Sequence, residues 1–363
     1  MLLPLFVFND YIDTHYSLVI QFHISISSVF LFQNTHFLQL TNNNVRFMNY
    51  DIIGDIHGQY DKLLDLLIHL DYEEINGVWS HKTHKAIFVG DLIDNKHDET
   101  GISHIKTVQL VKSMVEAGTA LCILGNHEFN AIAWFTPNPE EVNDFLRPHS
   151  RNNLDQHENF LDEVVENSTQ HHEIVGWFKT LPLWLELPEG IRVIHAAWIE
   201  DYQAILKPYL GDNNTLTDEL IIKASKKDSL EFEALEALCK GIETQLPLGY
   251  EFKDSHDKTR TQVRIPWWGK ENYGTYRKEA LIAENVKISI PDVLITTIDP
   301  RVKNYTGVPV FVGHYWSSGK PEPFTDNIAC VDYSAGKSGP FPLVAYRWEG
   351  EQILTNAGFR SAP

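Results

Sequence analysis

Tyr50-Asp51-Ile52-Ile53-Gly54-Asp55-Ile56-His57-Gly58 forms the most informative stretch of this 363-residue chain. Its first part is a short apolar run typical of a buried β-strand, and its second part is a glycine-flanked turn that carries Asp55 and His57. An isolated Asp-x-His after a strand is more often a loop or turn feature than a ligand set. The stretch becomes informative because related segments recur along the chain.

Five further segments place metal-binding side chains directly after apolar runs. They are Gly90-Asp91-Leu92-Ile93-Asp94, Gly125-Asn126-His127-Glu128, Ile194-His195-Ala196, Gly313-His314 and Asp332. An ordered series of this kind is far harder to obtain by chance than any single member. The series therefore indicates one metal site assembled from most of the chain.

The residues between these segments alternate between strand and helix patterns. The predicted elements of the first half are a strand at 50–54, a helix at 59–70, a strand at 86–89, a helix at 105–117 and a strand at 121–124. Later come a hairpin at 184–187 and 191–194, a helical section at 218–242, and strands at 308–312, 328–331 and 343–347 that we assign to a second sheet. This order predicts an α/β protein, in which ligands collect at the carboxyl ends of the strands.

Domain organisation follows from changes in composition. Residues 1–47 carry only Asp10, Asp13 and Arg46 as charges, with no basic n-region or cleavage site of a signal peptide. We expect an extension produced by a mis-assigned start, with Met48 as the initiator, or a disordered segment; the alternative is a peripheral membrane anchor. The main domain is predicted at 48–355, with a cap-like insertion around 137–170 and a helical insertion around 205–265.

Charge and cysteine content exclude several classes of function. A formal charge of -19 argues against a nucleic-acid polymer as partner, because such proteins need clustered Lys and Arg. The three cysteines, Cys122, Cys239 and Cys330, are scattered and lack Cys-x-x-Cys spacing. We interpret them as buried thiols of a cytoplasmic protein, and we expect no membrane partner.

The donor types suit two divalent metal ions that activate water and neutralise a phosphate ester. Asp91 is the candidate bridging carboxylate, with Asp55 and His57 on the first metal and Asn126, His195 and His314 on the second. Mixed imidazole and oxygen donors favour manganese, with iron or zinc as alternatives, over calcium, which takes oxygen ligands.

A proton donor is expected beside these ligands. His127 follows Asn126 directly, so it should face the same cleft while staying available to protonate the leaving group. Asp94, three residues after Asp91, is the carboxylate expected to orient its ring and raise its pKa.

Taken together, Gly-Asp-x-His-Gly, Gly-Asp-x-x-Asp, Gly-Asn-His-Glu, His-Ala and Gly-His resemble the phosphoprotein phosphatase family of calcineurin-like metallophosphoesterases. The opening strand and Cys330-Val331-Asp332 look most like its bacterial branch, which includes protein phosphatases and symmetrical diadenosine tetraphosphatases. The resemblance implies a four-layer αββα sandwich of two mixed sheets, with the dimetal centre at its top. It also supports the ligand and acid roles given above.

One departure affects substrate binding. The family continues its second motif as Asp-Arg-Gly, whose arginine grips the phosphate, whereas Asp94 here is followed by Asn95-Lys96. Lys96 supplies a charge without the bidentate fork of arginine. The candidate phosphate contacts are therefore Asn126, His127, Lys96 and Arg264, with Arg260 as the alternative arginine.

These inferences predict a metal-dependent phosphoesterase that uses a metal-bridged hydroxide. Its first expected substrate is a serine/threonine phosphoprotein, and the alternative is a dinucleoside polyphosphate such as diadenosine tetraphosphate. An alternative of another class is a catalytically impaired, phosphate-binding regulatory protein.

Overall fold

The computed structural model describes residues 48–95, 101–253, 258–270, 272–337 and 339–362. The predictions made for residues 1–47 and for Lys96 lie outside these ranges. No helix in the described ranges is long and apolar enough to cross a membrane.

Short strands and helices alternate along the described chain. The strands are β1 (Asn49–Ile53), β2 (Glu73–Ile75), β3 (Val78–Ser80), β4 (His84–Phe88), β5 (Ala120–Cys122), β6 (Trp184–Leu187), β7 (Ile191–Ile194), β8 (Ile242–Gln245), β9 (Phe252–Lys253), β10 (Thr259–Arg260), β11 (Gln262–Ile265), β12 (Val310–Val312), β13 (Ile328–Cys330), β14 (Val344–Trp348) and β15 (Phe359–Ser361). The α-helices are α1 (Tyr60–His69), α2 (His104–Glu116), α3 (Asn126–Phe135), α4 (Arg151–Val164), α5 (Thr169–Phe178), α6 (Glu200–Leu206), α7 (Asp218–Ala224), α8 (Leu230–Lys240), α9 (Tyr276–Glu279) and α10 (Glu284–Lys287).

The first main sheet has five strands in the order β15-β14-β1-β4-β5. β1 runs parallel to β4, and β4 parallel to β5, whereas β14 runs antiparallel to β1. The prediction that residues 343–347 join the second sheet is therefore wrong. Asp51 on β1 faces Arg347 on β14, and their side chains form a bidentate ion pair with distances of 2.8 and 3.1 Å.

The second main sheet has four strands in the order β13-β12-β7-β6. β7, β12 and β13 run parallel, while β6 and β7 form the predicted antiparallel hairpin. Both main sheets are thus mixed.

Alternating side chains of the strands enter two different cores, as the two-residue repeat of a strand requires. One core lies between the sheets and includes Ile52, Ile87, Val193, Phe311 and Tyr346. Their chain neighbours pack instead with helical residues, as shown by Ile53, Phe88, Ile194, Val312 and Ala345. Sheets that bury both faces give a helix–sheet–sheet–helix order. The predicted fold class is confirmed.

The helical section predicted at 218–242 is two helices and the start of a strand. The first helix, α7, ends at Ala224. Ser229 then caps the start of α8 by accepting a hydrogen bond from the backbone N–H of Phe232, so the two helices are separate. The segment 137–170 carries α4, and 205–265 carries α7, α8 and β8 to β11. The boundaries of the two insertions remain predictions.

The three cysteines are buried and unpaired, as predicted. Burial raises the pKa of each thiol, so they act as small apolar side chains.

The two sheets approach each other closely where β1 ends. A Cβ atom on Gly54 would lie 2.0 Å from the carbonyl oxygen of Val331, and one on Gly313 would lie 2.1 Å from Oδ1 of Asp55. Only glycine allows this separation. The metal-binding segments of both sheets therefore meet at one edge of the sandwich.

Candidate dimetal centre

The predicted ligands lie just beyond the carboxyl ends of parallel strands from both sheets. Asp55 and Asp91 follow β1 and β4, while His195 and His314 follow β7 and β12. Asn126 begins α3, immediately after β5 and a short loop. Parallel strands end at the same edge of a sheet, which is why segments far apart in sequence converge here.

Asp91 lies at the middle of the group. Its Oδ2 is 3.3 Å from Nε2 of His195, 3.9 Å from Nε2 of His127 and 4.0 Å from Nε2 of His57. Although burial raises the pKa of Asp91, the charges of His195 and His127 hold it well below its usual range. The carboxylate is therefore ionised and has histidines on several sides, as a bridging ligand requires.

Backbone carbonyls orient two of these histidines. Nδ1 of His57 is 3.0 Å from the carbonyl oxygen of Ile93, and Nδ1 of His195 is 2.7 Å from that of Val89. Because a carbonyl oxygen only accepts, both Nδ1 atoms carry the proton. With Nδ1 engaged in this way, Nε2 of each ring points toward Asp91 and, once deprotonated, is the atom free to bind a metal, as is usual for metal-binding histidines.

The resulting cluster of acceptors requires a cation. Nε2 of His195 lies 3.2 Å from Oδ1 of Asn126 as well as 3.3 Å from Asp91, and neither oxygen can donate a hydrogen bond. Against the effect of burial, Asp91 raises the pKa of His195 to about 10. In the metal-free protein a proton thus supplies the positive charge that a divalent ion would provide.

Two sets of donor atoms are close enough to hold metals. The ligand atoms of His57, Asp91 and His127 lie within 4.8 Å of one another, as do those of Asp91, His195 and His314. Four buried atoms have no hydrogen-bond partner among the described residues: both ring nitrogens of His314, Nε2 of His57 and Oδ1 of Asp55. Buried polar atoms are normally paired, so this donor set fits bound metal ions.

Asp55 and His127 are placed differently from the ligand assignment made from sequence. Asp55 belongs to neither set, and its Oδ2 accepts a hydrogen bond from the backbone N–H of His314 at 2.9 Å. His127 stands in the first set instead. The ligand role of Asp55 therefore remains a prediction, supported by its unpaired Oδ1.

Four of the site residues have a left-handed backbone conformation, which is unfavourable for residues other than glycine. Their φ angles are 49° at His57, 51° at Asp91, 68° at Asp94 and 70° at His314. Such conformations persist where surrounding structure enforces them, and they cluster at functional sites.

His127 and Asp94 form the predicted pair, and the structure adds a third member. Nδ1 of His127 is 2.7 Å from Oδ2 of Asp94, and Nδ1 of His157 on α4 is 2.7 Å from Oδ1. Although burial lowers the pKa of His127, Asp91 and Asp94 raise it above its usual value. The side chain of His127 is 20% exposed, whereas those of Asp94 and His157 are buried. The predicted proton donor is thus in contact with a buried carboxylate that a second histidine also contacts.

Glu128 supports the site and was given no role from sequence. Its carboxylate accepts hydrogen bonds from the backbone N–H groups of Asp91 and Leu92 at 2.8 Å and of Gly125 at 3.0 Å. It occupies the N3 position of α3 and reaches back to the backbone N–H of the N-cap residue Gly125, which is one half of a capping box, so the sequence offered only a weak signal. Glu128 fixes the Asp91 turn to the start of α3.

Asp332 supports the opposite side. Its carboxylate accepts from the backbone N–H groups of Trp316 at 2.6 Å and Ser334 at 2.9 Å. This fixes the chain just beyond His314, so Asp332 has a place near the site without being in either donor set.

Only some of the predicted phosphate-binding residues lie beside the donor sets in the described structure. Asn126 and His127 lie in the site, while Lys96 is outside the described ranges. Nε of Arg264 donates to the carbonyl oxygen of Lys240 at 2.7 Å, and its Nη2 is 2.9 Å from Glu243. Burial, followed by the charge of Arg264, lowers the pKa of His314.

The alternative arginine, Arg260, lies on β10 with an exposed side chain. Among the described residues, the guanidinium of Arg264 contacts Lys240 and Glu243 rather than a member of the donor sets.

Residues 48–232, just over half of the chain, match the family model described as calcineurin-like phosphoesterase. A bis(5'-nucleosyl)-tetraphosphatase PrpE of Oceanobacillus iheyensis is 31% identical over 150 residues, covering 41% of this chain and 55% of that protein. Its namesake in Halalkalibacterium halodurans is 32% identical over 161 residues, covering 42% and 59%. That of Anoxybacillus flavithermus is 38% identical over 176 residues, covering 48% and 65%.

The alignments thus span little more than half of the length of the first two of these relatives. All three are named as asymmetrical enzymes, whereas the sequence resemblance pointed to symmetrical ones. Among solved structures, a protein serine/threonine phosphatase of Saccharomyces cerevisiae aligns with 88% of this chain and 81% of its own, at 14% identity and a TM-score of 0.44. A likeness of that degree says nothing about substrate.

Proposed function

Because the chain belongs to the calcineurin-like phosphoesterase family, we propose that it hydrolyses dinucleoside polyphosphates at the site around Asp91. Its chemistry as a phosphate ester hydrolase follows from the family. The observation that carries the substrate class is the name shared by the relatives, bis(5'-nucleosyl)-tetraphosphatase. This favours the second of the two substrates expected from sequence over a phosphoprotein.

The donor sets support a binuclear centre. His57 and Asp91, joined by Asp55, would hold one metal, and Asp91 with Asn126, His195 and His314 would hold the other. Divalent ions bound there would lower the pKa of a water molecule and neutralise the phosphoryl oxygens. Manganese is the proposed metal, with iron or zinc as alternatives, because the donors mix imidazole nitrogen and oxygen.

His127 is proposed to protonate the leaving oxygen. Its Nδ1 is engaged by Asp94, so Nε2 is the nitrogen left to face substrate. The contribution of a general acid grows with the basicity of the leaving group. A serine alkoxide needs a proton, whereas a nucleotide phosphate, whose second pKa is about 6, leaves readily without one. The importance of His127 should therefore depend on the substrate.

The test is turnover by purified, manganese-loaded protein of diadenosine tetraphosphate and of a phosphoserine and phosphothreonine peptide panel. We expect release of ATP and AMP, separated by ion-exchange chromatography, because the relatives are named as asymmetrical enzymes. Two molecules of ADP would indicate symmetrical cleavage. Turnover of phosphopeptides alone would instead establish the phosphoprotein phosphatase.

Two further outcomes would overturn the proposal. Turnover of small phosphate esters alone would reject both specific substrates. Manganese-dependent phosphate binding without turnover would favour the impaired regulatory protein.

We also propose a cytoplasmic location, because the three cysteines are buried, unpaired thiols.

A further inference from the structure

Arg147 has a buried guanidinium nitrogen that lacks a partner. Its Nη2 donates to Oε1 of Gln156 at 2.8 Å, while Nη1 is buried without a hydrogen bond in the described structure. Burial lowers the pKa of Arg147, and Asp94 and Glu236 act in the opposite direction from a distance. No described carboxylate forms an ion pair with it. A desolvated cation without a paired anion is costly, so this position calls for an anionic ligand.

The surroundings of Arg147 connect it to the acid side of the site. Its backbone N–H donates to the carbonyl oxygen of Ala133, in the helix that begins with Asn126 and His127. Its partner Gln156 directly precedes His157, which holds Asp94. The backbone of Arg147 is thus held by α3 and its guanidinium by α4, the two helices that carry His127 and His157.

Arg147 differs in this respect from Arg264. The Arg264 guanidinium already binds the carbonyl oxygen of Lys240 and the carboxylate of Glu243. Arg147 keeps one buried nitrogen for a further acceptor. Guanidinium groups suit phosphoryl oxygens because their N–H donors are arranged in a planar fork.

We propose that Arg147 binds the phosphoryl group of the substrate, supplying the arginine that the motif lacks after Asp94. The inference rests on the proposed phosphoesterase function and assigns the phosphate-binding side to the segment between α3 and α4. The proposed role of Arg147 is the same whichever group the substrate carries on its phosphate.

The test is calorimetric titration of manganese-loaded protein with inorganic phosphate. Arg147→Gln should weaken phosphate binding about 10- to 100-fold, the range for a hydrogen bond to a charged group. Arg147→Lys should lose less. Arg277→Gln is the control for loss of an arginine charge elsewhere, because Arg277 donates from Nε to the carbonyl oxygen of Ile290 and lies at the surface near Asp292. An affinity of Arg147→Gln within twofold of wild type would overturn the proposal.

Thermal unfolding separates this role from a structural one. Arg147→Gln removes a partly unpaired buried charge but also the hydrogen bond to Gln156, and because these effects oppose each other the variant without phosphate should melt near the wild-type temperature. A lower melting temperature with unchanged phosphate affinity would identify a structural arginine. If Arg147→Gln does not fold, Arg147→Lys decides: at least threefold weaker phosphate binding supports the proposal and equal binding refutes it.

Phosphate affinity can be measured whichever substrate is turned over. A failure to cleave diadenosine tetraphosphate would therefore count against the proposed substrate alone, while unchanged phosphate affinity would count against Arg147 alone.

Discussion

Replacing His157 by phenylalanine should slow catalysis and leave the metals in place. Phenylalanine keeps a planar ring between Trp134 and Phe160, which flank His157 in the structure. It removes the Nδ1–H that Asp94 accepts at 2.7 Å. Of the hydrogen bonds that the Asp94 carboxylate makes with described side chains, the one with His127, the residue it is meant to orient, would remain.

The size of the effect follows from the burial of this contact. A hydrogen bond to a charged group contributes about 1.5–3 kcal/mol. The substitution leaves Oδ1 of the buried Asp94 carboxylate without this hydrogen bond, so we expect a destabilisation of that size before any compensation. Part of this cost is offset, because phenylalanine also removes the buried Nε2 of His157, which has no hydrogen-bond partner among the described residues. We expect a loss of about 1–3 kcal/mol in the free energy of unfolding. We expect kcat to fall on the order of 10-fold, part of the roughly 10²–10⁴ that a general acid contributes.

The measurements are urea unfolding in chelator, metal content, and kcat and KM at saturating manganese. His171→Phe is the matched control, since His171 is also buried but accepts from the backbone N–H of Asn167 rather than contacting Asp94. It should lose stability and keep kcat. A kcat of His157→Phe within twofold of wild type, or an equal fall in the control, would refute the reasoning.

Other perturbations have equally definite outcomes. The His127→Asn variant should retain its bound metals, as measured by elemental analysis. Its kcat should fall about 10²-fold or more on a phosphopeptide and less on diadenosine tetraphosphate. Equal losses on the two substrates would contradict the acid role. Asp91→Asn should weaken manganese binding by at least about 100-fold in a calorimetric titration, since it is common to both donor sets. Because the pKa of His195 is raised to about 10 and metal requires the neutral ring, apparent manganese affinity should fall about tenfold from pH 8 to pH 7; no pH dependence would argue against His195 as a ligand. Arg347→Met should cost about 3–5 kcal/mol in urea unfolding by stranding buried Asp51, and adding Asp51→Leu should restore most of it.

Much of the fold and the strand-end chemistry could be predicted from the sequence because both are local. Apolar runs such as Ile52-Ile53 identify strands, and a turn residue directly after a run is carried to the carboxyl edge. The wrong placement of residues 343–347 shows the limit. A two-residue repeat identifies a strand but not its partner, and the contact that accompanies the pairing with β1 joins Asp51 to Arg347, which lies far away in the sequence.

The supporting residues were missed for a related reason. His157 and Arg147 lie in a segment without a motif, and only the packing of α4 against α3 gives them a role. Nothing in their sequence neighbourhood distinguishes them from surface residues. Glu128 differs only in part, because a Glu at the third position of a helix often contacts the N-cap backbone, but Gly125 lacks the side chain that would complete the capping pattern.

The glycine contacts between the sheets also set the order in which the centre can be made during translation. Asp55, Asp91 and His127 leave the ribosome early, but His195 comes much later and His314 near the end of the chain. Gly54 can close against Val331 only after that last segment has emerged. In a nascent chain the proposed centre therefore cannot be completed until His314 and Val331 have been synthesised, long after Asp55, Asp91 and His127.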